Sequence, residues 1–292
     1  MTAEFGKTVS EEHRSMFRSV RLGSIRGIGV YIHWTFWMLM GIYALSETAR
    51  SGLGGGIEVA LFIGAVFACV LAHEFGHAAA AAYYGIKTTD ITLMVVGGVA
   101  RLARIPDKPI QELVIAVAGP AVNVFIGSIL FVVLALYKVL IPEPAGMLAS
   151  VFSFIQQLLI ANVVLVLFNM LPAFPMDGGR VLRSLLAMSQ GQIRATETAA
   201  RVGRWMALAF AVAAIFMGEF SLFLVAGFVY FAGSTELMQM KMRAAIAQNA
   251  KATEANPFAS FMHTSRTSSA FEHRTVRNDD VIDAVEVREI RG

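Results

Sequence analysis

Charge is what this chain most lacks: only 15% of its 292 residues are Asp, Glu, Lys or Arg, against 56% hydrophobic, with a mean hydropathy of +0.62. A soluble domain carries about 25% charge, so the composition excludes an ordinary water-soluble fold and points to a membrane protein. A single cysteine, Cys69, excludes a disulfide framework within the chain. The first 27 residues are polar and basic, without a short apolar core and small-residue cleavage site. No cleavable signal sequence is therefore expected, and the first helix would serve as an uncleaved anchor. No internal repeat stands out.

What is present is a series of apolar runs, each near the roughly 20 residues that cross a bilayer. Six are read, approximately Gly29–Ser46, Ile57–Tyr84, Gln111–Leu140, Met147–Leu167, Trp205–Met217 and Phe220–Leu237, the last two joined as a tight hairpin at Gly218-Glu219. Lysines and arginines alternate with them. Five precede the first run, four follow the second, five follow the fourth and eight follow the sixth, while Arg50 and Lys138 alone fall on the other side. This asymmetry sets both termini in the cytoplasm. The net charge of +3 then reflects orientation in the membrane, and no nucleic-acid partner is expected.

The expected fold class is an all-α polytopic membrane protein of about six transmembrane helices. A small membrane-associated β element would follow the second helix. Residues 91–100, Ile-Thr-Leu-Met-Val-Val-Gly-Gly-Val-Ala, are β-prone and broken by paired glycines, which suits a short strand pair or a loop dipping into the membrane edge. The domain expectation is a polar cytoplasmic segment over 1–27 with a surface helix over Glu11–Val20, a membrane domain over 28–240, and a polar tail over 241–292. That tail would be disordered or bind a regulatory partner, with a short helix or strand over 279–289.

Within the second run stand five residues of another kind, His73-Glu74-Phe75-Gly76-His77. From Ile57 to Tyr84 the only other ionisable side chains are Glu58, Cys69 and two tyrosines. A charged group at membrane depth costs about 2.5–3.5 kcal/mol on insertion scales and usually marks function. The HExxH spacing sets two imidazoles one turn apart on one helix face with a carboxylate beside them. That suits two zinc ligands and a general base. Glu74 lies ten residues before Tyr84, about 15 Å of helix, so water must reach it through a channel. A third protein ligand is required, and Asp177 is the candidate, in Asn169-Met-Leu-Pro-Ala-Phe-Pro-Met-Asp177-Gly-Gly-Arg180. Two prolines end the fourth helix there, and Gly178-Gly179 would let the backbone turn sharply. Local chemistry fits Asp177 equally well as the N-cap of a helix starting near Gly178. His33 and Cys69 stand as further donors, although His33 beside Trp34 also suits a headgroup-level position and Cys69 a small buried one.

HEFGH in a membrane helix, with N-x-x-P-x-x-P-M-D-G-G-R about a hundred residues on, resembles the site-2 protease family of intramembrane zinc metalloproteases. Gly119-Pro120-Ala-Val-Asn123 is similar to a further motif of that family, and Arg21-Leu-Gly23 with His33-Trp-Thr-Phe36 resembles its compact six-helix branch. The resemblance implies one Zn2+ per chain bound by His73, His77 and Asp177, with Glu74 as catalytic base. It further implies a membrane-anchored protein substrate, cut in or near a transmembrane segment, in the cytoplasmic membrane. Asn169 would bind the substrate backbone or the oxyanion, or cap its helix. Asn123 would hold unwound substrate, or satisfy backbone freed by Pro120. An unwound substrate strand would pair with the edge of the β-prone segment around Ile91–Val99. Residues 85–110 are too few for a PDZ domain, and those after Leu237 too few for paired CBS domains. The contrasting reading is a membrane metal-binding or transport protein without proteolysis. A prenyl-protein-type metalloprotease would need a glutamate ligand, and none lies between Glu143 and Glu197.

Overall fold

A computed structural model describes residues 19–255 apart from 96, 105, 107 and 142–144, with side chains to residue 246, 243 excepted. Five of its helices are long and apolar enough to cross a membrane. They are α1 (Trp34–Tyr83), α2 (Pro109–Leu140), α3 (Met147–Asn169), α5 (Gln192–Met217) and α6 (Phe220–Ala255), with the shorter α4 (Asp177–Gln190) between α3 and α5. Large apolar side chains cover the outside: Phe125, Phe131, Val139, Phe216 and Phe231 are each more than 60% exposed. Such a surface is stable only against lipid or another apolar partner. The chain divides after Leu237, and the rest of α6 belongs to a second unit.

The first two apolar runs share α1, a 50-residue helical run broken at Gly52, whose φ of 81° and ψ of −178° are not helical. Only glycine adopts that backbone without a steric cost. The chain reverses there. Phe36 packs edge-on to Phe67 with ring centroids 4.2 Å apart, and Met40 and Ile63 pack against the same buried cluster. A straight helix would hold Phe36 and Phe67 about 46 Å apart, so residues 34–51 and 53–83 form an antiparallel hairpin. Gly56 permits the two arms to close tightly, because a Cβ there would meet Thr48 and the Ala44 carbonyl oxygen.

The architecture is mostly helical with a small sheet, and the β element is larger than expected. Four strands, β1 (Ser19–Ile25), β2 (Ile28–His33), β3 (Thr88–Met94) and β4 (Gly97–Leu102), form one sheet in that order. Ser19–Ile25 and Gly29–His33, read as polar lead and first-helix start, are strands. The last two residues of the expected surface helix, Ser19 and Val20, belong to β1, while residues 11–18 of it and the expected element over 279–289 lie outside the described residues. The physical reason is a two-residue hairpin: Arg26 (φ 51°) and Gly27 (φ 84°) both take the left-handed conformation, and Ile25 pairs with Ile28 across them. That turn matches the twist of paired strands. β2 pairs in parallel with β3, which is possible because the α1 hairpin returns the chain to its starting side. β3 is interior, and among the described residues β4 pairs only with β3, leaving one edge of β4 open. The helix before the last hairpin also begins earlier than the run at Trp205 suggested, at Gln192.

Candidate metal centre

His73, Glu74 and His77 lie on the buried face of the second arm of α1, each less than 10% exposed. That arm crosses α2 at two glycines. A Cβ on Gly76 would lie 2.7 Å from the Ala118 carbonyl oxygen, and one on Gly119 would lie 2.3 Å from His77 Nε2. Small residues let two apolar helices approach this closely. The crossing puts the imidazole rings directly against the backbone of α2.

Asp177 is brought to the same point as the first residue of α4. The N-cap position belongs to Met176, so the capping alternative for Asp177 does not hold. Gly178 and Gly179 are helical, so they serve no sharp turn. They permit close packing instead, since a Cβ on Gly178 would sit 2.3 Å from the Met170 carbonyl oxygen and one on Gly179 2.6 Å from Ala173 C.

The three donor atoms form a nearly equilateral triangle. His73 Nε2 lies 3.0 Å from His77 Nε2 and 3.0 Å from Asp177 Oδ2, and His77 Nε2 lies 3.1 Å from the same oxygen. His73, His77 and Asp177 form the metal-competent cluster found among the described residues. Adjacent ligands of a tetrahedral zinc with bonds of about 2.0–2.1 Å stand roughly 3.3 Å apart, so the spacing fits. Hydrogen bonding strengthens the fit. His73 Nδ1 donates to Asn123 Oδ1 at 2.6 Å, and His77 Nδ1 donates to the Ile115 carbonyl oxygen at 2.7 Å. With both Nδ1 protons committed, neutral imidazoles aim their Nε2 lone pairs at each other and at a carboxylate oxygen. A cation at the centre relieves that repulsion, and two imidazoles with one carboxylate are the donor set of catalytic zinc sites.

Glu74 is not part of the triangle. With His73 it lines a cleft of about 280 Å3, bounded by Gly97, Gly98 and Val99 of β4, Asn169 at the end of α3, Pro175 and Met176 before α4, and Phe228 of α6. β4 touches Glu74 closely, because a Cβ on Gly98 would lie 2.4 Å from Glu74 Cγ. Asn169 is at the cleft, its Nδ2 donating to the Leu165 carbonyl oxygen at 3.0 Å. Asn123 is not among the cleft residues. It is 1% exposed behind His73, and its Nδ2 donates to Asn162 Oδ1 at 2.9 Å. Neither amide nitrogen nor oxygen is directed to backbone freed by Pro120. His33 and Cys69 stand outside the triangle: His33 caps α1 and accepts from Thr35 N at 3.4 Å, while Cys69 Sγ accepts from Asn162 Nδ2 at 3.4 Å. Sequence reasoning missed Asn162 and Ile115, and it read Gly119 only as part of a motif, without its packing against both imidazoles. Of the two missed, Asn162 alone carried a signal, as an amide in the apolar run of α3.

Comparison with known proteins agrees with this geometry. The model of peptidase family M50 matches residues 61–145 and 139–214. The chain is 35% identical over 219 residues to a zinc metalloprotease of Methanocaldococcus jannaschii, covering 75% of this chain and 60% of the relative. It is 35% identical over 199 residues to Rip3 of Mycobacterium tuberculosis, covering 65% of this chain and 49% of that protein. The chain thus spans about half to three fifths of the length of these relatives. A solved structure, the site-2 protease from Methanocaldococcus jannaschii, aligns with a TM-score of 0.55 and 33% identity over 75% of this chain and 95% of that one.

Proposed function

The chain belongs to peptidase family M50, and on that footing we propose that it is an intramembrane zinc metalloprotease, hydrolysing a peptide bond in or near a transmembrane segment of a membrane-anchored protein. One observation carries the proposal: the three-donor triangle stands beside a carboxylate, Glu74, that lines a cleft bounded by an open strand edge.

His73, His77 and Asp177 would hold the zinc. When bound, zinc supplies a Lewis acid that makes a water nucleophilic near neutral pH and polarises the scissile carbonyl. Glu74 accepts the water's proton and returns it to the leaving amine. Asn123 fixes the His73 ring from behind, as partners of metal-bound histidines commonly do. Asn169, at the cleft, contacts the substrate backbone or the oxyanion. Because a closed helix hides its carbonyls, the substrate must unwind, and the open edge of β4 offers main-chain pairing to the unwound strand. The edge expectation therefore moves from the 91–94 stretch, which is interior, to β4.

The six-span reading counts the two arms of α1 separately, with α2, α3, α5 and α6. Both termini are cytoplasmic in this reading, the bilayer is the cytoplasmic membrane, and the membrane domain extends to about residue 240. It is supported by the placement of lysine and arginine and by the parallel β2–β3 pairing, which needs both ends of the α1 hairpin on one side. The tail over 241–292 is read as the seat of any regulatory partner.

The test compares wild type, Glu74→Gln and Asp177→Ala in detergent, measuring zinc content and cleavage of a model transmembrane substrate. The expected pattern is zinc retained and cleavage lost in Glu74→Gln, with zinc weakened in Asp177→Ala. Function unaffected by Glu74→Gln would favour a metal-binding or transport protein. Stoichiometric zinc in Asp177→Ala would remove the third ligand.

A further inference from the structure

One ionic cluster in the helical unit takes no part in the chemistry. Arg183 of α4, 6% exposed, donates through Nε to Glu112 Oε1 at 2.9 Å and through a second nitrogen to the same oxygen. Its Nη1 donates to Glu236 of α6 at 2.5 Å. Its guanidinium also stands 5.1 Å from the centre of the Phe174 ring, in the loop that leads into Asp177. Burial disfavours the charge on Arg183, yet Glu112 and then Glu236 more than offset it, and its pKa stands above the ordinary arginine value.

The second feature is where Glu112 sits. It lies on α2 three residues before Ile115, whose carbonyl oxygen holds His77 Nδ1, and the same helix carries Asn123, which holds His73 Nδ1. Both histidines are thus oriented from α2. Asp177 makes no such bond to α2. Its helix is tied there by Arg183, six residues along α4 from the ligand, and those six residues span only about 9 Å of helix.

We propose that Arg183 is a positioning residue for the third metal ligand: its paired bond to Glu112 sets the register of α4 against α2, so that one helix orients all three donors. The pair is buried, two guanidinium nitrogens grip one carboxylate oxygen, and the guanidinium also stands over an aromatic face, an arrangement that suits arginine better than lysine. Glu236, with its side chain 36% exposed, is the lesser anchor. The inference rests on Asp177 being a ligand, and Asp177→Ala tests that premise separately.

The experiment uses the full chain in detergent, with Arg183→Met, Arg183→Lys, Glu112→Gln and Glu236→Gln. Zinc affinity is measured by chelator competition, and ligand geometry by the visible absorption of the Co2+-loaded protein; neither depends on a substrate. Arg183→Met is expected to lower zinc affinity about 10–100-fold, the usual cost of losing a partner that orients a ligand. It should also alter the Co2+ spectrum while circular dichroism is unchanged. Arg183→Lys should recover part of the affinity, and Glu112→Gln should lose more than Glu236→Gln. Wild-type zinc affinity and an unchanged Co2+ spectrum in folded Arg183→Met would overturn the proposal. If that variant does not fold, wild-type affinity and spectrum in Glu112→Gln would overturn it equally.

Discussion

Gly119→Ala adds one methyl group against the Nε2 edges of the two histidines. Its Cβ would lie 2.3 Å from His77 Nε2, 2.5 Å from His77 Cε1 and 2.7 Å from His73 Nε2. Ordinary contact distances are about 3.5–4.0 Å, so a ring or the helix must give way by about 1 Å. Neither has an easy escape: both rings are held by Nδ1 hydrogen bonds, and the crossing on the other side is already closed at Gly76. Metal–ligand distances tolerate only about 0.2 Å. Zinc affinity should therefore fall about 10–100-fold, equivalent to roughly 1.4–2.8 kcal/mol. Gly127→Ala, eight residues along the same helix, is the control. Its Cβ would meet only Leu159 Cδ1 at 3.7 Å, and it shares any gain in helix propensity, up to about 1 kcal/mol. The assay is chelator competition in detergent, with circular dichroism to confirm the fold. Wild-type zinc affinity in a folded Gly119→Ala protein would refute the claim that α2 presses on the ligands.

Other expected outcomes separate the roles around the cleft. Asn123→Ala should weaken zinc about tenfold or more through a mobile His73 ring, whereas Glu74→Gln should keep zinc and lose about 10²–10⁴-fold in cleavage rate. Gly98→Ala, whose Cβ would crowd Glu74, should likewise spare zinc affinity while lowering kcat. Of Val99→Pro and Ala100→Pro on β4, the one whose N–H faces the cleft should block cleavage without unfolding the sheet; full activity in both would exclude edge pairing. Chelator removal of zinc should lower the Tm of wild type but not of His77→Ala, because at 1,000 times Kd a bound metal stabilises by about 4 kcal/mol. In a Cys69→Ala background, single cysteines at Gly52 and Gly218 should react with an impermeant maleimide from outside intact cells, and one at Gly191 should not. The reverse pattern would invert the proposed orientation.

The apolar runs and the donors were legible because each is local. A stretch of some 20 apolar residues has few alternatives to a membrane helix, and HExxH places two ligands by helical periodicity alone. Asp177 was legible as a candidate, yet its spacing did not separate ligand from N-cap; the start of α4 at Asp177 removes the cap reading, and the approach of its Oδ2 to both imidazoles at 3.0 and 3.1 Å supports the ligand one. The sheet was half hidden. The Arg26-Gly27 turn is a weaker hairpin signal than Asn-Gly, and Ser19–His33 has charges and glycines that read as a polar lead. Its parallel pairing with β3 joins residues about sixty apart, which no window of sequence contains.

The polar partners of the ligands were illegible for the same reason, and they explain why α2 is built as it is. Its apolar length allows a membrane span, but its buried residues are mostly not large apolar ones: they include Glu112, Ala116, Gly119, Pro120, Asn123 and Gly127. Two glycines and an alanine keep neighbouring helices near, while Glu112, the Ile115 carbonyl and Asn123 present acceptors at three successive levels toward α4, His77 and His73. In a low-dielectric interior each unmet polar group is costly, so these bonds are satisfied together or the helix crossing fails. The asparagine that sequence reasoning assigned to substrate or to proline-freed backbone is instead bonded to His73 and Asn162. A membrane interior that excludes water lets a few such bonds orient the ligands, which in water would compete with solvent for the same atoms.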